Sequence, residues 1–299
     1  MMKYKAWFFL IFCNLFWAGN MIFGKYVMYE YPAIWTAFLR WLIALIFLIP
    51  IAQFIEKPAW LQIWKKHFVV ILLLSVTVAI YTVLTYESLQ YTSSTNGALI
   101  NSLTPATIML FSLMFQKEKI TTFQVIGIIT SFIGVLIVLT KGNLLQLFHI
   151  EYNKGDMIMI LAVLAWTMYS LLGKKTKGMP TATLIAITSF IAVIIMLPFL
   201  FIQPLQINKI TVLGIEGMLY LGIFPSVGSF ILWNKSIKIV GAGIAGISMN
   251  LIPIFTAILA LLLGQGLVTS QIIGGIIVIG GMLLTSMKRK QVAPKPELT

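Results

Sequence analysis

The chain has 299 residues, 60% of them hydrophobic and only 10% charged, with 21 Lys and Arg against 8 Asp and Glu. An ordinary soluble domain carries about a quarter of its residues as charges, so this composition excludes one and points to a polytopic, all-α membrane protein. The formal charge of +13 does not indicate nucleic acid, because the basic residues flank apolar blocks instead of lining one face. Cys13 is the only cysteine, which excludes an intrachain disulfide and a cysteine-built metal site.

Ten apolar stretches, bounded by Lys, Pro, Gly or Asn, predict ten membrane-spanning helices. They are 6–26, 32–52, 67–87, 94–115, 122–140, 156–173, 180–200, 212–234, 242–263 and 270–287. The first follows Lys3 and Lys5, but Asn14 and Asn20 interrupt it and no small-residue cleavage site follows, so a retained helix is expected rather than a leader. With a cytoplasmic N-terminus, Lys57, Lys65, Lys66, Lys117, Lys119, Lys174, Lys175, Lys177, Lys235, Lys238 and the basic tail from Lys288 fall inside. Lys25, Lys141, Lys154 and Lys209 fall outside. By the positive-inside rule both termini are then cytoplasmic, in a cell (inner or plasma) membrane.

The chain also repeats itself. Trp17 precedes Gly24-Lys25 by seven positions and Trp166 precedes Gly173-Lys174 by the same seven, an offset of 149. From the third stretch onward the offset is 148, pairing Leu84 with Leu232, Ser88 with Ser236, Leu103 with Leu251, Pro105 with Pro253, Thr121 with Thr269 and Gly127 with Gly275. Each copy holds five spans, an odd number, so the second enters the bilayer upside down relative to the first, the inverted repeat of secondary transporters. The expected division is 1–150, 151–288 and a cytoplasmic tail at 289–299.

Several of these residues carry a family likeness. The stretch YESLQYTSSTNGALINSLTP, from Tyr86 to Pro105, with Glu118 beyond it, resembles the EamA repeat of the drug/metabolite transporter superfamily. So do WAGNMIFGK at Trp17 to Lys25, Arg40 early in the second span, GDMIMILAVLAWTMYSLLGKK at Gly155 to Lys175, and LWNKSIK at Leu232 to Lys238. The likeness runs from about residue 6 to 287. One departure is that Gln265 and Gly266 stand where an acid usually follows the ninth span. The resemblance implies export or exchange of small polar metabolites, often amino acids or related compounds. It also implies a central cavity lined by the first four spans of each copy, with the fifth and tenth at the periphery.

Residues suited to such a cavity are few. Pro105 and Pro253 fall near the centres of the fourth and ninth spans, where a proline frees the carbonyls of Asn101 and Met249 and kinks the helix. Asn101 and Asn250 share a helix face with these prolines and either line a polar site or lock neighbouring helices together. Arg40 lies about eight residues, roughly 12 Å, into the second span. There it either attracts a carboxylate, or snorkels or bonds a helix-end carbonyl. Trp17, Tyr81, Tyr86, Trp166, Tyr169 and Trp233 offer aromatic walls with polar tips or act as packing and belt residues. Trp17 and Trp166 are repeat mates, and Asn20 corresponds to Tyr169, so equivalent positions are expected on opposite walls of one cavity. The glycines of the tenth span permit close packing within the chain or a homodimer.

No Asp or Glu lies deep within a predicted span, which argues against a carboxylate proton carrier. No phosphate-binding loop, nucleophile elbow or His/Asp/Glu cluster is present, so ATP-driven pumping and enzyme chemistry gain no support, and no cofactor is expected. The expected function is a secondary transporter moving small polar or amphipathic metabolites by alternating access, with the lipid bilayer and a small-molecule substrate as its partners. A channel or lipid scramblase, or an integral membrane enzyme, is the alternative.

Overall fold

The computed structural model describes residues 2–92, 97, 100–116, 121–140, 142–149, 153–262, 264 and 269–286. Lys117, Glu118, Lys119, Lys141, Gln265, Gly266 and the C-terminal tail lie outside the described residues. Those described form helices and connections, with no strand among them. Seven helical stretches are long and apolar enough to cross a membrane, and three shorter apolar helices lie at 104–115, 122–138 and 272–284. Phe8, Ile46, Val69, Leu110, Ile129, Leu161, Phe190, Ile215 and Ile276 point outward and exposed. Such an apolar exterior belongs in hydrocarbon.

In chain order the helices are α1 (Met2–Val27), α2 (Ala33–Ile51), α3 (Trp60–Tyr91), α4 (Thr104–Gln116), α5 (Thr122–Leu139), α6 (Lys154–Gly173), α7 (Thr181–Met196), α8 (Val212–Leu221), α9 (Ser229–Val240), α10 (Ala242–Ile247), α11 (Leu251–Leu262) and α12 (Thr269–Ser286). Several predicted spans are thus broken. The eighth is α8 and α9 joined by a π-helical turn at Gly222–Gly228 around Pro225. In the ninth, a 3₁₀ turn at Ser248–Asn250 separates α10 from α11. In the fourth, a turn at 102–103 precedes α4. The third span is longer than predicted, with non-helical backbone at His67 (φ −124°, ψ 20°).

These breaks correct the expected role of the two prolines. Pro105 and Pro253 stand in the first turns of α4 and α11, after the helix has already been interrupted. At Pro105, after the turn at 102–103, an N–H is not needed and the proline opens the helix. At Pro253 the 3₁₀ turn runs directly into α11, so the proline follows a local distortion of a helix that continues through it. The carbonyl of Asn101, expected to be freed, accepts a 2.6 Å hydrogen bond from Thr104 Oγ1. Discontinuous helices of this kind are tolerated at membrane depth where they face protein or a polar hollow.

Helix contacts run mainly between the two halves. The pairs include α5 with α12, α3 with α6 and α7, α1 with α8, α9 and α11, α2 with α7, α4 with α6, and α4 with α10. Exchanging each span with the one five places on reproduces this pattern: the first span on the eighth becomes the sixth on the third, and the first on the ninth becomes the sixth on the fourth. α5 and α12 approach closely at Gly134 and Gly274, where a Cβ on either would lie 2.7 Å from the other's carbonyl oxygen, and at Gly281, where it would lie 2.6 Å from Gly127 O. Ser131 Oγ donates to Val278 O (3.1 Å) in the same seam. The tenth span's Gly274 and Gly281 therefore serve a contact within the chain.

Carboxylates tie the halves together at their rims. Glu56 accepts from Ala182 N (2.9 Å), Thr183 N (2.7 Å) and Thr183 Oγ1 (2.7 Å), capping the start of α7. Glu30 does the same for α8 through Thr211 N (2.8 Å) and Thr211 Oγ1 (2.6 Å). An acid at a helix N-terminus satisfies orphan N–H groups and meets the positive end of the dipole. Replacing Glu56 with Ala is expected to cost about 1–2 kcal/mol, read as a lower melting temperature of the purified protein.

Candidate functional site

At the centre of this helix arrangement α2 carries Arg40, buried at 5% exposure. The side chain does not snorkel to an interface. Its Nε donates to Ser226 Oγ (2.9 Å), and its Nη1 to Tyr86 Oη (2.8 Å) and Asn20 Oδ1 (3.4 Å). Tyr86 in turn donates to Asn20 Oδ1 at 3.0 Å. The guanidinium also lies 5.6 Å from the Trp41 ring centroid and 5.8 Å from that of Tyr86. Every one of these partners is neutral, so the charge is held by dipoles and ring faces alone.

The π-helical turn explains how Ser226 reaches this position. Pro225 cannot donate, the backbone widens around it, and the Ser226 hydroxyl bonds Leu221 O (2.7 Å) while accepting from Arg40. Trp17 Nε1 donates to Pro225 O at 3.3 Å, anchoring the same turn to α1. A π-turn inserted in an α-helix commonly marks a functional position.

Beside Arg40 is a small hollow of about 20 Å³, lined by Trp17, Asn20, Met21, Arg40, Tyr81, Asn101, Phe230, Met249 and Ile252. That is room for a water or two, far less than a metabolite needs. Five of the residues expected at the site (Trp17, Asn20, Arg40, Tyr81 and Asn101) border it directly, and Tyr86 stands behind them as a bonding partner of Arg40. Asn250 does not border it. The repeat mate of Asn101 at offset 148 is Met249, which does, and one residue turns the side chain by about 100° around the helix axis. Asn250 is buried elsewhere, its Oδ1 without a hydrogen-bond partner among the described residues.

The aromatic expectation also needs correcting. Trp17 and Trp166 do not face each other across a cavity; their rings meet edge to face with centroids 5.2 Å apart at 87°. These two repeat mates thus touch each other directly. Trp233 packs on both at 5.4 Å, Phe230 lies 5.5 Å from Trp166, and Tyr169 stacks on Trp166 at 5.2 Å. Trp166, Tyr169 and Trp233 thus form a packed cluster beneath the hollow. The Nε1 atoms of Trp166 and Trp233 have no acceptor among the described residues.

The comparisons decide what kind of chain this is. The EamA-like transporter family matches twice, over residues 5–140 and 153–287. The chain belongs to the EamA-like transporter family. It is 29% identical to the uncharacterized transporter YyaM of Bacillus subtilis, covering 91% of this chain and 90% of that one. It is 30% identical to the uncharacterized transporter YetK of Bacillus subtilis, with 91% and 84% covered. With an uncharacterized transporter of Archaeoglobus fulgidus the identity is 29% over 97% of this chain and 100% of that one. A solved structure only 15% identical shares the fold, with a TM-score of 0.81 over 95% of this chain and 98% of the other.

Placing the two EamA matches against each other exposes a swapped pair. Asn20 and Tyr86 correspond to Tyr169 and Asn234 at offsets of 149 and 148. In the first copy Tyr86 donates to Asn20; in the second, Asn234 Nδ2 donates to Tyr169 Oη at 2.9 Å. The hydrogen bond persists with its residues exchanged. Arg40 has no such counterpart: offsets of 148 and 149 reach Thr188 and Ser189, whose hydroxyls bond Ile185 O. The cation is therefore particular to the first EamA copy. Ser226 and Asn234 escaped the residue-type reading because neither is charged or aromatic, although the repeat offset from Tyr86 leads straight to Asn234.

Proposed function

We propose that this protein is a secondary transporter that exports small metabolites bearing a carboxylate, amino acids or related compounds, by alternating access without ATP. The observation that carries this reading is Arg40, a buried guanidinium with neutral partners beside a hollow enclosed by both halves. A carboxylate entering there gains charge-assisted hydrogen bonds in a low-dielectric setting, and a planar fork suits its two oxygens. Trp17, Tyr81 and Phe230 supply apolar and aromatic surface for the rest of the cargo. Membership in a two-repeat transporter family and the curated relatives' names support transport over enzyme chemistry.

In this reading the five spans of residues 1–150 and the five of 151–288 are inverted copies, both termini are cytoplasmic, and the protein resides in the cell membrane. The exchangeable contact pattern between halves supports the pairing of copies. Because the hollow is too small for cargo, the cycle requires it to widen toward each side in turn. The interruptions at 102–103, 222–228 and 248–250 are natural hinge positions, since their backbone is already released from regular helix pairing.

Proteoliposomes containing the purified protein test this. Saturable uptake of a labelled neutral amino acid, accelerated by unlabelled substrate on the opposite side, is the expected result. Rates should not require an imposed proton gradient, because Glu30, Glu56 and Asp156 cap helix ends, and Glu87 and Glu216, the other described carboxylates, do not border the hollow. Uptake strictly dependent on a proton gradient would overturn the uncoupled mechanism, and non-saturable flux would favour a channel.

A further inference from the structure

We infer that the hollow beside Arg40 is a binding site for a small monovalent anion, a halide such as chloride, that balances the guanidinium when no cargo is bound. This inference shares Arg40 with the proposed cargo site but does not require any metabolite to bind there.

Three features carry it. The first is charge. A permanently charged side chain buried among neutral groups at membrane depth is costly unless an opposite charge reaches it, and no acid borders the hollow. The second is the set of unused donors. Arg40 Nη2 makes no hydrogen bond among the described residues, its bonds being made through Nε and Nη1. Asn20 must turn Oδ1 toward Arg40 and Tyr86, since a guanidinium only donates, which leaves its Nδ2 protons unengaged among the described residues. The Tyr81 hydroxyl, beside the Thr85 side chain, still carries a proton it can direct into the hollow, and the Asn101 amide can turn its NH₂ inward. These side chains all border the same space, so the site offers donors and a cation with little to accept a proton.

The third feature is backbone. The interrupted fourth and ninth spans restart beside the hollow, which Asn101, just before α4, and Met249 and Ile252, at the start of α11, help to line. Both helices exceed three turns, and their N-terminal ends add positive potential where the guanidinium already is. Size completes the match: about 20 Å³ admits one ion of roughly water-like dimensions and excludes a carboxylate with its carbon frame. Halide and cargo therefore exclude each other at Arg40, and cargo entry expels the halide.

The experiment is a thermal-unfolding titration of the purified full chain, replacing methanesulfonate with chloride or bromide at constant ionic strength. A saturable rise in melting temperature is expected with either halide. Tyr81→Phe, which keeps the guanidinium and removes one donor, should raise the half-saturating chloride concentration roughly tenfold, and Arg40→Gln should abolish the response. Identical melting curves in chloride and methanesulfonate overturn the inference, and so does a saturable response that neither variant changes. Acetate, the smallest practical carboxylate, separates this inference from the cargo reading. Competition between acetate and chloride supports both. Chloride binding without competition keeps the halide site and removes the cargo reading. Arg40-dependent stabilisation by acetate with no chloride response does the reverse.

Discussion

Arg40→Gln is expected to reduce carboxylate transport by about 100-fold or more, because truncating one partner of a buried hydrogen-bonded charge pair typically costs several kcal/mol. The variant should nonetheless fold. Gln retains hydrogen-bonding ability toward Ser226, Tyr86 and Asn20, and it removes a buried charge whose desolvation opposes folding. In halide-free buffer its melting temperature should therefore equal or exceed that of the unmodified protein. Arg40→Lys separates charge from geometry: it keeps the cation, loses the planar fork, and should fall between the two in transport. Initial uptake rates in proteoliposomes, normalised to reconstituted protein, check the series. Undiminished transport by Arg40→Gln would remove the guanidinium from the cargo site.

The second large effect concerns the seam between α5 and α12. A Cβ at Gly134 would sit 2.7 Å from both Gly274 O and Val278 N, atoms of the facing backbone that no side-chain rotation relieves. Gly134→Val must push the helices apart, break the bond from Ser131 to Val278 O, and destabilise the protein by at least about 2 kcal/mol. At Gly280 in the facing helix α12, an added Cβ would meet nothing within 4 Å, so Gly280→Ala should leave stability near its starting value, helped slightly by helix propensity. Melting temperature and the monodisperse fraction after purification distinguish the two. Because this seam lies apart from the Arg40 hollow, any Gly134→Val protein that remains folded should keep its affinity for cargo.

Much of this architecture was legible in the chain because lipid imposes simple rules. Apolar stretches must be helices, Lys and Arg mark their ends, and an offset of 148 or 149 recurs wherever the copies retain the same residues. Arg40 stood out for the same reason, as the charge inside an apolar run. What remained hidden depends on rotation and proximity. Periodicity could not show that Trp17 and Trp166 touch, because spacing along the chain does not say which residues of the two halves meet. Asn250 looked like the partner of Asn101 by residue type, while the repeat offset gives Met249, and a one-residue step moved the amide off the hollow. Ser226 was obscured because its placement depends on the π-helical turn at Gly222–Gly228, where widened backbone carries the hydroxyl to Arg40. The prolines marked where the fourth and ninth spans are irregular, but a helix restarted at its first turn and a helix distorted in its middle have the same local sequence.

The central claim is that the Arg40 hollow opens alternately to the two sides of the membrane. Met249 borders it and is buried, and Cys13, the only native cysteine, is buried and bonded to Ser229 O. A Cys13→Ser, Met249→Cys double variant in sealed vesicles of known orientation places one thiol at the site. Membrane-impermeant maleimide added separately to the inside and the outside reads the opening directly. The account predicts labelling from each side, with transported substrate slowing both reactions. Labelling from one side only under every substrate condition, or from neither, would contradict it.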